Sequence, residues 1–382
     1  MYKISIKKIL LNRTDRFWLH VKNYLVFCGF IIYKQIIKFK KEGIKKKTVL
    51  FFNNGQMGDL LVSSVIFEND ELLNQSFNYY FLIKEEYSKI LKNYTGSINI
   101  ITYDYEKYRK SFFYKVKFIK NINNLRIKYY YNLCADRGVL TEEFSSFVDA
   151  EIRICLNKGT NSLDKYLQKY FNKFYKVLLF DENINEYEKN FLVMKQCLLM
   201  YDNPTRTISI NEKKIFKESK SIKPYIAIAP FTSNMYRNRG IERYKELIIK
   251  LSKEYDIILL GEKKDENKIK ISNKSKRIIN LIGKTTLNEA GKIIANCMLY
   301  IGNDSGLTHV AFKLDKPIIA LIGGGRWNRF FPYYNNTDNK LFLSYEMKCF
   351  NCGWLCDYDE MYCLTKIDID KIVFETKNLI SK

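Results

Sequence analysis

The chain has 382 residues, 47% of them apolar and 15% aromatic, with 64 Lys and Arg against 41 Asp and Glu for a net charge of +23. That length exceeds a typical domain of about 100–200 residues and predicts two domains, while the apolar content excludes a disordered basic protein. The charge invites nucleic acid, anionic lipid or a phosphorylated substrate, although 51 of the cations are Lys in an Ile-, Asn- and Tyr-rich chain, a bias that compositional drift also produces.

Charge is concentrated at the amino terminus, where residues 1–47 hold thirteen cations against two anions, Asp15 and Glu42, a net +11. Apolar positions at Ile9, Leu10, Phe17, Trp18, Val21, Leu25, Phe30, Ile31 and Ile37 interleave with these cations. The pattern predicts a basic amphipathic segment at an anionic inner-membrane surface, where each cation adds about 1 kcal/mol. The other reading is a helix packed on the first domain with its lysines solvated. Residues 24–33, the longest early apolar run, are too few for the roughly twenty residues that span a bilayer, and no small-residue cleavage site follows. A cytoplasmic chain is expected, peripheral at the inner face of the plasma membrane if the segment binds lipid.

A first domain over 48–205 opens with a strand at Thr48–Phe52, which runs into Asn53-Asn54-Gly55 and a helix from about Met57 to Asn69. Strand signals recur at Phe77–Ile83, Ile98–Thr102 and Tyr129–Cys134. Residues 206–223 break the pattern and read as a linker. The second domain, 224–345, alternates strands at Tyr225–Ala229, Ile257–Leu260, Arg277–Asn280, Met298–Ile301 and Pro317–Leu321 with helices near 241–254, 264–273, 286–295 and 305–313. A Cys-containing tail and helix occupy 346–382. Such alternation predicts α/β domains with doubly wound parallel sheets, whose ligands bind beyond the carboxyl ends of the strands.

The segment Gly302-Asn303-Asp304-Ser305-Gly306-Leu307-Thr308-His309 carries the strongest chemical signal. A strand enters a small polar turn and a helix begins near Ser305. Its first amide groups form a cradle for a diphosphate, and Gly306 allows close approach. His309 lies one turn into the helix, facing back toward the same anion. The plainer reading is that Asp304 or Ser305 caps the helix and His309 is a surface residue.

Asn303-Asp304-Ser305-Gly306-Leu307-Thr308-His309-Val310-Ala311, followed by Lys316-Pro317 and an apolar strand, resembles the signature of family 9 glycosyltransferases, the lipopolysaccharide heptosyltransferases. Upstream, Gly283-Lys284-Thr285-Thr286-Leu287 is similar to the family's Gly-Lys-Thr-Ser-Leu segment. Ala229-Pro230-Phe231-Thr232-Ser233 with Arg237 and Arg239 is similar to its His-Pro-Gly-Ala-Ser loop, and Gly261-Glu262 to its strand end beside the nucleotide. Gly58-Asp59-Leu60 matches the turn that opens its first helix. The resemblance implies a GT-B fold, two Rossmann-like domains facing across a cleft, with the acceptor held by the first and the donor by the second.

The function so implied is inverting, metal-independent transfer of a sugar, heptose by family precedent, from a nucleoside-diphosphate donor such as ADP-heptose to a lipopolysaccharide or other lipid-linked cell-envelope glycan. Asp59 is the candidate base; its plainer role is a helix-start carboxylate that complements the dipole. Thr232, Ser233, Arg237, Arg239, Gly261, Glu262, Gly283, Lys284, Asp304, Ser305, Gly306, Leu307, Thr308 and His309 are the candidate donor-binding residues. Arg237 stands where the family has Lys, Arg239 where an aromatic is usual, Phe231 for Gly, Val65 for Pro, and Gly323-Gly324-Gly325 for a Gly-Pro-Thr turn. These departures keep open a catalytically silent nucleotide-sugar-binding homologue. A nucleic-acid-binding protein is the remaining alternative, although no zinc-finger, helix-turn-helix or RNP pattern accompanies the charge and no nucleic acid is expected.

Cys349-x2-Cys352-x3-Cys356-x6-Cys363 brings four thiols together with Gly353 in between, a set able to ligate a structural Zn²⁺. Only one C-x2-C pair is present, so reduced thiols packing the tail are the alternative.

Overall fold

The computed structural model describes residues 47–382 except 92–93, 157–164, 177–183, 200–223, 234, 272–275, 332–337 and 355, together with seven positions between Val21 and Ile31. The predicted linker, 206–223, and most of the amino-terminal segment lie outside the described residues. Two compact units divide the chain after residue 210.

In the first unit, β1 (Thr48–Phe52), β2 (Asn78–Lys84), β3 (Asn99–Tyr103), β4 (Ile127–Asn132) and β5 (Ala150–Cys155) form a five-stranded parallel sheet in the order β3-β2-β1-β4-β5. Every residue of β1 is buried, as expected for a central parallel strand covered on both faces. Its core is aromatic: Phe52 packs 4.6 Å from Phe144, and Phe67 4.6 Å from Phe81. The helix predicted over 57–69 is broken into α1 (Met57–Ser63) and α2 (Val65–Glu68). Ser64 is the break, with its Oγ 2.7 Å from both the Leu61 carbonyl and the Glu68 carboxylate. Further helices are α3 (Tyr105–Lys110), α4 (Phe112–Asn123), α5 (Val139–Phe147), α6 (Lys165–Asn172) and α7 (Glu186–Leu199).

In the second unit, β6 (Tyr225–Ala229), β7 (Asp256–Leu259), β8 (Ile278–Asn280), β9 (Leu299–Asn303), β10 (Ile318–Leu321) and β11 (Lys340–Leu343) form a six-stranded parallel sheet in the order β11-β10-β9-β6-β7-β8. Helices α8 (Ile241–Leu251), α9 (Leu287–Asn296), α10 (Gly306–Lys313), α11 (Tyr362–Thr365) and α12 (Ile369–Ser381) complete it. Among the described residues of the range 264–273 the predicted helix does not form: a single 3-10 turn at Lys263–Asp265 stands there, because Ile269 and Ile271 are spaced by two and make no helical stripe. Helix α12 returns Ile372 and Leu379 to the second core.

Each sheet reverses its winding direction once, between β1 and β4 in the first unit and between β6 and β9 in the second. Those switch points are where open α/β sheets hold ligands. Among the described residues no helix is long and apolar enough to cross a membrane. Of the amino-terminal segment, Phe27 and Ile31 pack against the first core, Phe27 at 4.9 Å from Tyr170, while Leu25 is exposed. At those positions the segment follows the packed-helix reading.

Candidate functional site

The second switch point is built from the ends of β6 and β9. Asn303 closes β9 and ties the two loops: its Nδ2 donates to the Pro230 carbonyl at 2.8 Å, and its Oδ1 accepts from the Tyr244 hydroxyl at 3.0 Å. Thr232 Oγ1 donates to the Asp304 carbonyl at 3.4 Å. Ser305 is the N-cap of α10 but makes no side-chain cap, so the first-turn amides of Gly306 and Leu307 have no capping side chain. Ser305, Gly306 and Leu307 are all partly exposed.

Arg237 reaches this turn with Nη1 3.4 Å from Asp304 Oδ2, and its guanidinium lies 5.6 Å from the Trp354 ring centre. The second oxygen of Asp304 and the Nε of Arg237 are buried without a hydrogen-bond partner among the described residues. Such orphaned groups normally cost about 1–3 kcal/mol each, a cost that a bound polar group would offset. A diphosphate oxygen suits Nε, and a sugar hydroxyl suits Oδ1.

Other expected donor residues sit differently. The Thr308 side chain is fully buried; its hydroxyl bonds the Asn303 carbonyl and lies 3.1 Å from the Tyr300 hydroxyl, so it closes the turn from inside. His309 is buried and stacks on Phe331 at 4.4 Å. Burial, reinforced by the nearby cations Arg237 and Lys313, pushes its pKa down to about 3. A neutral imidazole shapes the turn but brings no charge to an anion.

Arg239 requires a correction. It is fully buried and donates to the Leu364 carbonyl at 3.2 Å and the Ile367 carbonyl at 2.6 Å. Its guanidinium therefore fastens the carboxy-terminal segment, and Arg237 is the cation at the turn. At the strand ends, a Cβ on Gly261 would stand 3.1 Å from Ile282 and 3.3 Å from Phe231, and Gly283 has φ +74°. The Gly283 amide donates to the Gly261 carbonyl at 3.0 Å, so the two glycines close one corner beneath Phe231. Ser233, Glu262 and Lys284 are exposed, and Glu262 pairs with Lys264 at 2.6 Å.

The four clustered cysteines line one pocket with Gly324, Gly325 and Trp354. Among the described residues no group of three His, Cys, Asp or Glu is arranged to hold a metal ion, so the geometry does not fit the zinc expectation. Burial raises the pKa of the Cys349, Cys352 and Cys363 thiols, with the neighbouring thiols adding to it. The segment instead packs on the triple-glycine turn: Asn351 and Gly353 amides donate to the Gly324 and Gly325 carbonyls at 2.7 and 2.8 Å. A Cβ on Gly325 would stand 2.3 Å from the Trp354 ring, one on Gly324 2.3 Å from Phe350 and one on Gly323 2.9 Å from Trp354, which explains the three glycines. Trp354 is the residue beside Arg237 that motif reading missed, since it lies in no diagnostic pattern, whereas Asn303 and Tyr244 fall within or beside the motifs, which assign them no role.

In the first unit Asp59 stands in the first turn of α1, beyond the end of β1. Its Oδ2 accepts from the Gln56 amide at 2.7 Å, so the helix-capping role is real. A carboxylate has about four lone-pair sites, and the capping bond orients it. Asn53 fixes the turn by accepting from the Gly55 amide at 2.7 Å and donating to the Asp59 carbonyl at 3.0 Å. Gly55 is required because a Cβ there would stand 2.3 Å from the Asp59 Cβ.

Two parallel-sheet α/β units, each with one switch point, define the GT-B fold. The chain belongs to glycosyltransferase family 9 (heptosyltransferase), whose family model matches residues 82–354. It is 32% identical over 184 residues to the lipopolysaccharide heptosyltransferase 2 of Salmonella typhimurium, a stretch that covers 45% of this chain and about half, 51%, of that relative. Among solved structures it is similar to a family 9 glycosyltransferase from Veillonella parvula, with TM-score 0.69, 15% identity and coverage of 90% and 99% of the two chains. The E. coli ADP-heptose LPS heptosyltransferase II aligns with TM-score 0.63 and 18% identity over 87% of this chain and 98% of that one.

Proposed function

We propose that the chain is an inverting glycosyltransferase that moves a heptose from ADP-heptose to a lipopolysaccharide or related cell-envelope glycan, with residues 48–205 serving the acceptor and 224–345 the donor. The observation that carries the reading is the pair of orphaned atoms, Arg237 Nε and Asp304 Oδ1, beside the uncapped start of α10. The diphosphate takes the Gly306 and Leu307 amides and Arg237 Nε; Asp304 orients the sugar. Asp59 accepts the proton of the acceptor hydroxyl as that oxygen bonds to the anomeric carbon. The anomeric carbon–oxygen bond breaks with its electron pair leaving on the diphosphate, where Arg237 and the helix start stabilise the charge without an obligatory metal.

Two features support this assignment of substrates. The E. coli relative is described as an ADP-heptose enzyme. The basic segment, proposed to touch an anionic membrane surface, suits a lipid-linked acceptor; deleting residues 1–45 is expected to weaken liposome flotation, and unchanged flotation sinks that part. The donor is tested by thermal shift against ADP-, GDP-, UDP- and dTDP-sugars, because a ligand of the native state stabilises it by mass action. ADP-heptose is expected to give the largest rise, and a larger rise with another nucleotide refutes the donor.

A further inference from the structure

Helix α4 opens on two exposed phenylalanines that the proposed reaction leaves without a role. Phe113 is 83% exposed and Phe112 47%, with their rings edge to face at 5.8 Å. Phe113 lies off the core-facing stripe of Ile119 and Ile122 and shares its face with Lys117 and Lys120, four and seven residues on, both exposed. Across the Ser111 cap, α3 presents the exposed cations Lys107, Arg109 and Lys110. The carboxylates there are already engaged, Asp104 with Lys107 at 3.2 Å and Glu106 with Arg109 and Lys110 at 2.7 and 3.0 Å. Lys117 and Lys120 have no such partner among the described residues. The patch stands on the rim that carries Asp59. Strands β1, β2 and β3 are parallel, so α3 and the Asp59 turn leave the sheet at the same carboxyl end. The Tyr103 hydroxyl, at the end of β3, donates to Asn54 Oδ1 in the loop before Asp59. The Asp104 amide donates to the Tyr114 hydroxyl at 3.0 Å, which folds the first turn of α4 back onto that end.

Area and charge decide what such a patch meets. Two aromatic side chains bury about 150–250 Å² each, short of the roughly 800 Å² that one partner contributes to a stable protein interface, whose core is also depleted in Lys. A bilayer sets no such threshold: aromatic rings enter the boundary between headgroups and acyl chains one by one, and each Lys or Arg near an anionic surface adds to the attraction. From the exposed aromatic pair set among lysines at the Asp59 rim we infer that residues 107–120 dock on an anionic membrane, with Phe112 and Phe113 inserted at the interface and Lys117 and Lys120 on lipid phosphates. The inference rests on the assignment of the first unit to a lipid-linked acceptor and deepens it, since a bilayer held at this end of the sheet brings the glycan to Asp59. It asks nothing of the basic segment over residues 1–47, whose contribution adds independently.

The test is flotation of the full chain with phosphatidylcholine vesicles, with and without phosphatidylglycerol. Wild type is expected to float with the anionic vesicles and not with the neutral ones. The double variant Phe112→Ser/Phe113→Ser is expected to lower partitioning about tenfold or more, through the apolar area withdrawn from the interface. Lys117→Gln/Lys120→Gln is expected to lower it by a similar factor, since each cation at an anionic surface is worth about fivefold. Both variants keep the wild-type thermal shift with ADP, which shows an intact fold. Equal partitioning by wild type and the phenylalanine variant, or equal binding to neutral and anionic vesicles, overturns the inference. So does a lipid-free dimer in sedimentation that Phe113→Ser dissolves, which would make the patch an interface between copies. Loss of flotation on deleting residues 1–45, with the phenylalanine variant floating as wild type does, would assign the membrane contact to that segment alone and overturn the inference as well. Phenylalanine-dependent flotation of a chain that forms no heptosylated product would instead leave this surface standing and remove the reaction.

Discussion

Replacing Arg237 by Lys isolates the orphaned Nε from the charge. Among the described residues the guanidinium pairs with Asp304 at 3.4 Å and faces the Trp354 ring at 5.6 Å, while Nε is buried with no hydrogen-bond partner. Its desolvation is therefore already incurred before the diphosphate arrives, and a charge-assisted bond there is worth about 1.5–3 kcal/mol, or roughly 10–150-fold in affinity. Lys retains a cation for Asp304 but supplies a point charge in place of the planar fork. Arg237→Lys is thus expected to weaken ADP binding by about tenfold or more in titration calorimetry, with thermal stability near wild type because the ion pair survives. An unchanged dissociation constant would refute the claim that Nε awaits a phosphate oxygen.

Gly325→Ala drives a methyl into the rigid Trp354 ring, so it is expected to destabilise the chain by about 1–3 kcal/mol and to weaken ADP binding through the displaced Arg237; denaturant melts and calorimetry read the two effects. The folded-state pKa of His309, about 3, lies below the ordinary value of 6.5, so its contribution is fully present above pH 6.5 and is lost as pH falls toward 3. Relative to His309→Gln, wild type should lose about 2–3 kcal/mol between pH 6.5 and pH 4.5 in urea melts, and parallel profiles would contradict a buried neutral imidazole. Glu142→Ala strips Arg137 of a fully buried partner at 2.7 and 2.8 Å and is expected to cost about 3–5 kcal/mol by the same melts; a loss under about 1 kcal/mol would show the pair to be dispensable.

Local patterns were read well where the chemistry is local. The strands at Thr48–Phe52 and Tyr225–Ala229 fall where their apolar runs place them, and the Asp304-Ser305-Gly306 turn with Asp59 stands at strand ends as its glycines require. What stayed hidden depends on distant chain. Arg237 and Arg239 differ by two positions, and only the packing of Leu364 and Ile367 decides which one turns away from the site. The triple-glycine turn reads in sequence only as a departure from the family's Gly-Pro-Thr, yet its missing side chains make room for Phe350 and Trp354. The thiol cluster shows the opposite error, a metal-like spacing whose side chains the fold uses as the walls of an apolar pocket.

The central claim is transfer from ADP-heptose with Asp59 as base, and it is tested most directly by mass-spectrometric detection of heptosylated glycan formed by wild type and by Asp59→Asn, each first shown by thermal shift to bind the donor. Product from wild type, and product reduced at least about a hundredfold in Asp59→Asn at equal donor binding, is the predicted result. Equal product from both proteins, or none from wild type on any envelope glycan, would contradict it.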